Sequence, residues 1–93
     1  MKNSISHATL ALAALLGGCA THIQSEDGLH TAIKYGVTAF DDPFIILSEI
    51  QQDASRLCEK TRQFVVTVNS EAIKGIPGVA HARARLHFRC VSP

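Results

Sequence analysis

A small α+β domain is what this sequence predicts: a three-stranded sheet with one packed helix, in the order strand, helix, strand, strand, closed by one disulfide. Three observations predict it. Apolar residues recur at helical spacing over residues 43–61, directly after an Asp-Asp-Pro start signal. Residues 80–90 alternate strictly between apolar and basic side chains. A short valine-rich run lies between them. One sheet face and one helix stripe, each apolar on a single side, must cover each other.

Residues 29–40 place Thr31, Ile33, Tyr35, Val37 and Ala39 on one phase and His30, Lys34, Gly36 and Thr38 on the other. Period two with β-formers predicts a strand over 31–39, with Gly36 as a weak point or bulge. Asp41-Asp42-Pro43 is a helix start. Asp42 suits the N-cap, Pro43 suits the first helical position, and both carboxylates lie at the positive end of the dipole. A metal or acid/base role for the pair competes poorly with capping. From Pro43 to about Thr61, Leu47, Ile50, Ala54, Leu57 and Cys58 form one stripe, with Ile46 beside it. Glu49, Gln52, Asp53, Arg56 and Lys60 take the other side. Lys60 and Arg62 suit the negative helix end, although no glycine marks the stop.

Residues 63–69 contain Phe64, Val65, Val66 and Val68 and read as a short buried strand. Residues 70–79, with Gly75-Ile76-Pro77-Gly78, read as a loop. Ile73 and Ile76 are expected to fold back on the domain; exposed, they would form a small sticky patch. In residues 80–91, Ala80, Ala82, Ala84, Leu86, Phe88 and Cys90 share the inward phase. His81, Arg83, Arg85, His87 and Arg89 share the outward one. If the first two strands were parallel neighbours, their crossover should be right-handed.

Cys90 on the inward strand phase and Cys58 on the inward helix stripe aim both sulfurs at one layer. A disulfide between them is expected, provided their α-carbons come within about 4.4–6.8 Å. The alternatives are a metal site, for which two cysteines without further spaced ligands are a poor motif, and a free thiol. No metal and no cofactor is expected.

The first 18 residues have a positive start at Lys2, an apolar run over 8–16, and the small residues Gly17 and Gly18 before Cys19. This is a secretory signal layout, too short to span a bilayer. Leu16-Gly17-Gly18-Cys19 resembles the lipobox of bacterial lipoproteins. The resemblance implies that Cys19 carries a diacylglycerol thioether, that residues 1–18 are removed, and that the new amino group is acylated. An ordinary secretory signal with a chance cysteine is the alternative. Ala20, rather than Asp, follows the cysteine. By the same resemblance this favours the outer membrane, on its periplasmic face. Two or more acyl chains suffice for stable anchoring. Residues 19–28 are polar and are expected to be a flexible tether, leaving 29–93 as the periplasmic domain.

Cleavage would remove 18 of 93 residues, and Lys2 is the only charged one among them. Eight basic and eight acidic residues then remain, so overall charge gives no reason to expect a nucleic-acid partner. No Gly-x-Ser-x-Gly elbow, His-Glu-x-x-His, phosphate loop or dinucleotide fingerprint occurs, so no enzymatic activity is expected. The notable constellation is the outward phase His81, Arg83, Arg85, His87 and Arg89, roughly 6.6 Å apart in succession. It is either a solvated strand face that discourages edge aggregation, or a docking stripe for an anionic envelope component or acidic protein. His81 and His87 are about 20 Å apart on a strand and cannot share a metal. The layout also resembles, loosely, the small disulfide-bearing envelope lipoproteins, including the stress-sensing lipoprotein of the Rcs phosphorelay. That resemblance implies signalling by protein contacts, although those proteins use two disulfides and this chain can form one.

Overall fold

Asp27 and Gly28 both take positive φ, 53° and 79°. Two such residues in succession make the primed hairpin turn whose twist matches that of paired strands, and Asp-Gly is a strong signal for it. In the computed structural model, which describes residues 20–93, this turn joins β1 (His22–Glu26) to β2 (Leu29–Tyr35). They pair antiparallel from Glu26↔Leu29 to His22↔Ile33. The flexible tether expected over residues 19–28 is thereby corrected: from His22 onward this segment is an edge strand. Ile23 packs against the core, and the Thr21 hydroxyl donates to Asp53 on the helix at 2.6 Å. Cys19 and the residues before it lie outside the described residues.

The strand expected over 31–39 ends at Tyr35, because the chain leaves the sheet at Gly36. There the amide donates to the Ala82 carbonyl at 2.8 Å. A Cβ on Gly36 would sit 2.6 Å from an Asp41 carboxylate oxygen, so this bend has room only for glycine. Asp42 caps the helix by accepting from the Phe44 amide at 2.9 Å, and Pro43 occupies the first position. The helix, α1 (Pro43–Glu59), buries Ile46, Ile50, Ala54 and Cys58. Their constant spacing of four residues makes a single ridge. Leu47 and Leu57 flank it, partly buried. At the other end Arg62 takes φ 57°. The Gln63 amide then donates to Cys58 (3.0 Å) and the Arg62 amide to Glu59 (2.9 Å). This is a Schellman closure with arginine where glycine is usual.

The sheet has four strands, not three, in the order β1-β2-β4-β3, with β3 (Phe64–Ile73) and β4 (Arg83–Val91) completing it. All three pairings are antiparallel. β2 and β3 are not neighbours: β4 lies between them, so they form no parallel pair. β3 is an edge strand with Phe64, Val66 and Val68 exposed, which corrects the buried strand expected there. It also runs on through residues 70–73, expected as loop. Its register slips between Thr67 and Asn69, leaving Val68 without a partner. This bulge reverses the alternation. Val65 and Thr67 face the helix before it, and Ser70 and Ala72 after it, which turns Glu71 to the far side.

The helix packs on β2, β3 and β4. The core comprises Ala32, Ala82, Ala84, Leu86 and Phe88 from the sheet and the α1 ridge. Cys58 and Cys90 are bonded, with α-carbons 5.2 Å apart. The bridge ties the last turn of the helix to the central strand, as the two periodicities require.

Candidate functional site

α1 covers one sheet face and leaves the other open. The cross-strand register lays out the open face row by row. Tyr35, Arg83 and Ile73 share one row, Ile33, Arg85 and Glu71 the next, and Thr31, His87 and Asn69 the third. Arg89 lies beside Val66 in the fourth. His22, Gln24 and Glu26 continue the face onto β1. β4 thus carries its outward residues along the middle of the sheet, with apolar and polar side chains on both sides. It is an interior strand, so its charges do not guard an edge against aggregation.

The five residues of the ridge are individually engaged. Arg85 pairs with Glu71 at 3.5 Å, both partners partly exposed, a geometry that contributes little to stability in water. Arg89 donates to the Asp27 carbonyl at 3.1 Å and so straps the β1–β2 turn. Arg83 donates to the His81 carbonyl at 3.4 Å. The His81 ring lies 3.0 Å from the Gly36 carbonyl oxygen, and the His87 ring 3.0 Å from the Thr31 hydroxyl. Among the described residues Arg83 and Arg89 have no carboxylate within ion-pair distance. The face therefore offers two cations without a carboxylate partner among apolar neighbours, rather than five free charges in a line.

A second concavity, about 290 Å³, lies between the end of β2 and the start of α1, lined by Lys34, Gly36, Asp41, Asp42, Ile46 and Glu49 among others. The sequence marks it only through Asp41-Asp42, which read as a helix start. Its polar groups hold the fold. Lys34 pairs with Glu49 at 3.5 Å, and Asp42 caps α1. Asp41 accepts from the amides of Thr38 (3.1 Å) and Val37 (2.6 Å) and from the Thr38 hydroxyl. These amides, Thr38 first and Val37 second, hold its carboxyl below the usual aspartate range by favouring the charged form. Asp41 thus caps the loop before it, while Asp42 caps the helix after it. Among the described residues no three His, Cys, Asp or Glu side chains form a metal-holding group. Nor is any described helix long and apolar enough to cross a membrane.

Compared with known proteins, the chain matches no family model, no curated protein and no solved structure.

Proposed function

We propose that this is a small, non-catalytic lipoprotein of the bacterial outer membrane, facing the periplasm, with a structural or interaction role. The observation that carries it is Leu16-Gly17-Gly18-Cys19 at the end of an apolar run. A thiol after small residues is what thioether acylation and cleavage within the membrane demand. The Cys58–Cys90 bridge supports the same setting, since structural disulfides persist in oxidising compartments. The polar groups of the β2–α1 cleft are committed to caps and an ion pair, which favours a structural or binding role over catalysis. Intact mass of the membrane-extracted protein tests the proposal. A first residue at Cys19 bearing acyl chains is expected. Processing and membrane retention of a Cys19→Ser variant to the same extent as the parent would overturn it.

A second reading is a sensor or adaptor that engages an anionic envelope component, or an acidic protein, through the open sheet face. Its support is that, among the described residues, no element covers Arg83, Arg85, His87 and Arg89 and no carboxylate lies beside two of the arginines. Guanidinium groups without such partners are suited to phosphate or carboxylate oxygens. Charge reversal at Arg83 and Arg85 separates the readings. Loss of a crosslinked envelope partner with the fold intact favours docking, and an unchanged partner set favours a solvated face.

A further inference from the structure

The strand register gives the domain two distinct ends. At one end lie the Asp27-Gly28 turn, the polar connection over residues 60–63 and the stretch after β4. At the other lie the β2–α1 loop, the β3–β4 loop and the residues that precede β1. Because His22 pairs with Ile33, Ala20 and Thr21 run alongside the last residues of β2, toward this second end.

That second end exposes a group of large apolar side chains beside the Asp41 and Asp42 carboxylates, which are engaged by backbone amides. Phe40 is 82% exposed, Val79 77% and Val37 68%, with Phe44, Ile45 and Ile76 also exposed around them. These side chains are not loose. The Asp41 carboxylate gathers the amides of Val37 and Thr38. The Ala82 amide donates to Thr38, and Ile76 exchanges bonds with Ala80 across the Pro77-Gly78 turn. A Cβ on Gly75 would stand 2.4 Å from the Ala39 backbone, so the two loops touch there with no room for a side chain. The loops satisfy several of their own backbone amides and hold large apolar groups outward. Both properties suit a surface that meets hydrocarbon rather than water.

We propose that this end of the domain rests in the lipid interface, with Phe40, Val79 and their neighbours dipping into the membrane that Cys19 is anchored to. The proposal rests on the acyl anchor put forward above. Only Ala20 and Thr21 separate Cys19 from β1, a reach of roughly 10 Å at full extension. Thr21 is itself tied to Asp53, in the second half of α1. An anchor at Cys19 therefore keeps the domain close to the bilayer, with the start of β1 and the end of β2 nearest to it. Exposed Lys74 beside the tips suits headgroup phosphates, the usual pairing of apolar and cationic side chains at an interface. The strands then stand along the membrane normal, and the open sheet face is presented sideways to the periplasm.

The chain contains no tryptophan, so single-tryptophan variants report position without background. Full-length lipidated protein carrying F40W, V79W or, at the far end, K60W is reconstituted in phosphatidylethanolamine/phosphatidylglycerol vesicles with and without brominated acyl chains. F40W and V79W should show blue-shifted emission that bromine quenches, and K60W neither. Anchored protein in which F40W and V79W behave like K60W overturns the membrane contact and leaves the lipid anchor standing. A blue shift without bromine quenching means that protein covers the tips, and it overturns the contact equally. Protein that carries no acyl mass and does not sediment with vesicles overturns the anchor, and the contact with it.

Discussion

Breaking the Cys58–Cys90 bridge should cost a large share of the stability of the domain. The bridge closes 32 positions of chain, for which the loop-closure relation gives about 12 cal/mol/K, or about 3.7 kcal/mol at 25 °C. A domain of about 70 ordered residues has on the order of 4–11 kcal/mol in all. The loss is therefore between about a third and nearly all of the total, and the reduced protein should unfold at a much lower urea concentration. Two routes separate the crosslink from packing. Reduction without alkylation keeps both sulfurs and removes only the constraint. A C58A/C90A variant also removes the Cys58 sulfur from a fully buried position in the α1 ridge, and should fall somewhat further. Urea unfolding followed by far-ultraviolet circular dichroism gives both free energies. It should also show a steeper denaturant dependence once the unfolded chain is free to expand. A loss below about 1 kcal/mol on reduction, with unchanged steepness, would refute the claim that the bridge acts on the freedom of the unfolded chain.

Three further outcomes follow from backbone and charge. Gly28→Ala puts a side chain at φ 79° and 3.3 Å from the Arg89 guanidinium; it should cost about 1 kcal/mol or more and speed amide exchange in β1, and parent-like exchange would mean that the turn does not hold the strand. Arg62→Gly relieves a left-handed arginine and should raise the urea midpoint by up to about 1 kcal/mol in stability, whereas a lower midpoint would show that the arginine side chain outweighs its backbone. Because the carboxyl of Asp41 is lowered from 3.8 in the fold, its contribution is complete above that value and is lost as pH falls through the lowered one. Asp41→Ala should therefore be less stable than the parent at neutral pH and converge with it at strongly acid pH, and parallel stability curves from pH 6 to 2 would refute the amide clamp.

What was legible in the sequence is what depends on local chemistry. Asp42-Pro43 set the start of α1, and the repeat through Ile50, Ala54 and Cys58 set its buried side. The alternation of β4 set the inward phase of Ala82, Ala84, Leu86 and Phe88, and with it the disulfide. β1 was not legible as a strand because Ile23 is its only large apolar residue. Backbone pairing to β2 holds it more than burial does. The signal that marks it, Asp27-Gly28, lies in a polar stretch. The length of β3 was illegible for another reason. A bulge at Val68 has no composition signature, and its effect, turning Glu71 toward Arg85, exists only once β4 is alongside. Phe40, the most exposed large apolar residue of the loop between β2 and α1, lies between the expected strand and the Asp41-Asp42 helix start, where periodicity assigns it no side.

The facing of β2 shows why bulk is a poor guide to the inward side of a sheet beneath a helix. Thr31, Ile33 and Tyr35 are its larger β-formers, yet Ala32 is the buried residue and its neighbours His30 and Lys34 share that face. A helix rides over a sheet at a distance set by the side chains between them. Here the α1 ridge of Ile46, Ile50, Ala54 and Cys58 meets a floor containing Ala32, Ala82 and Ala84. Small floor residues let the ridge descend until its own isoleucines, together with Leu86 and Phe88, fill the layer between helix and sheet. Larger residues at 32 or 84 would lift the helix and strain the Cys58–Cys90 bond, which needs its α-carbons near their 5.2 Å separation. The rim of that layer tolerates amphipathic side chains. His30 lays its ring against Phe88 with centroids 4.9 Å apart, and Lys34 extends its amine to Glu49. The bulky residues of β2 are thereby displaced to the open face, where Ile33 and Tyr35 flank Arg85 and Arg83. The same alanine floor that allows a small domain to close on one helix thus gives the opposite side of the sheet its mixed apolar and cationic character.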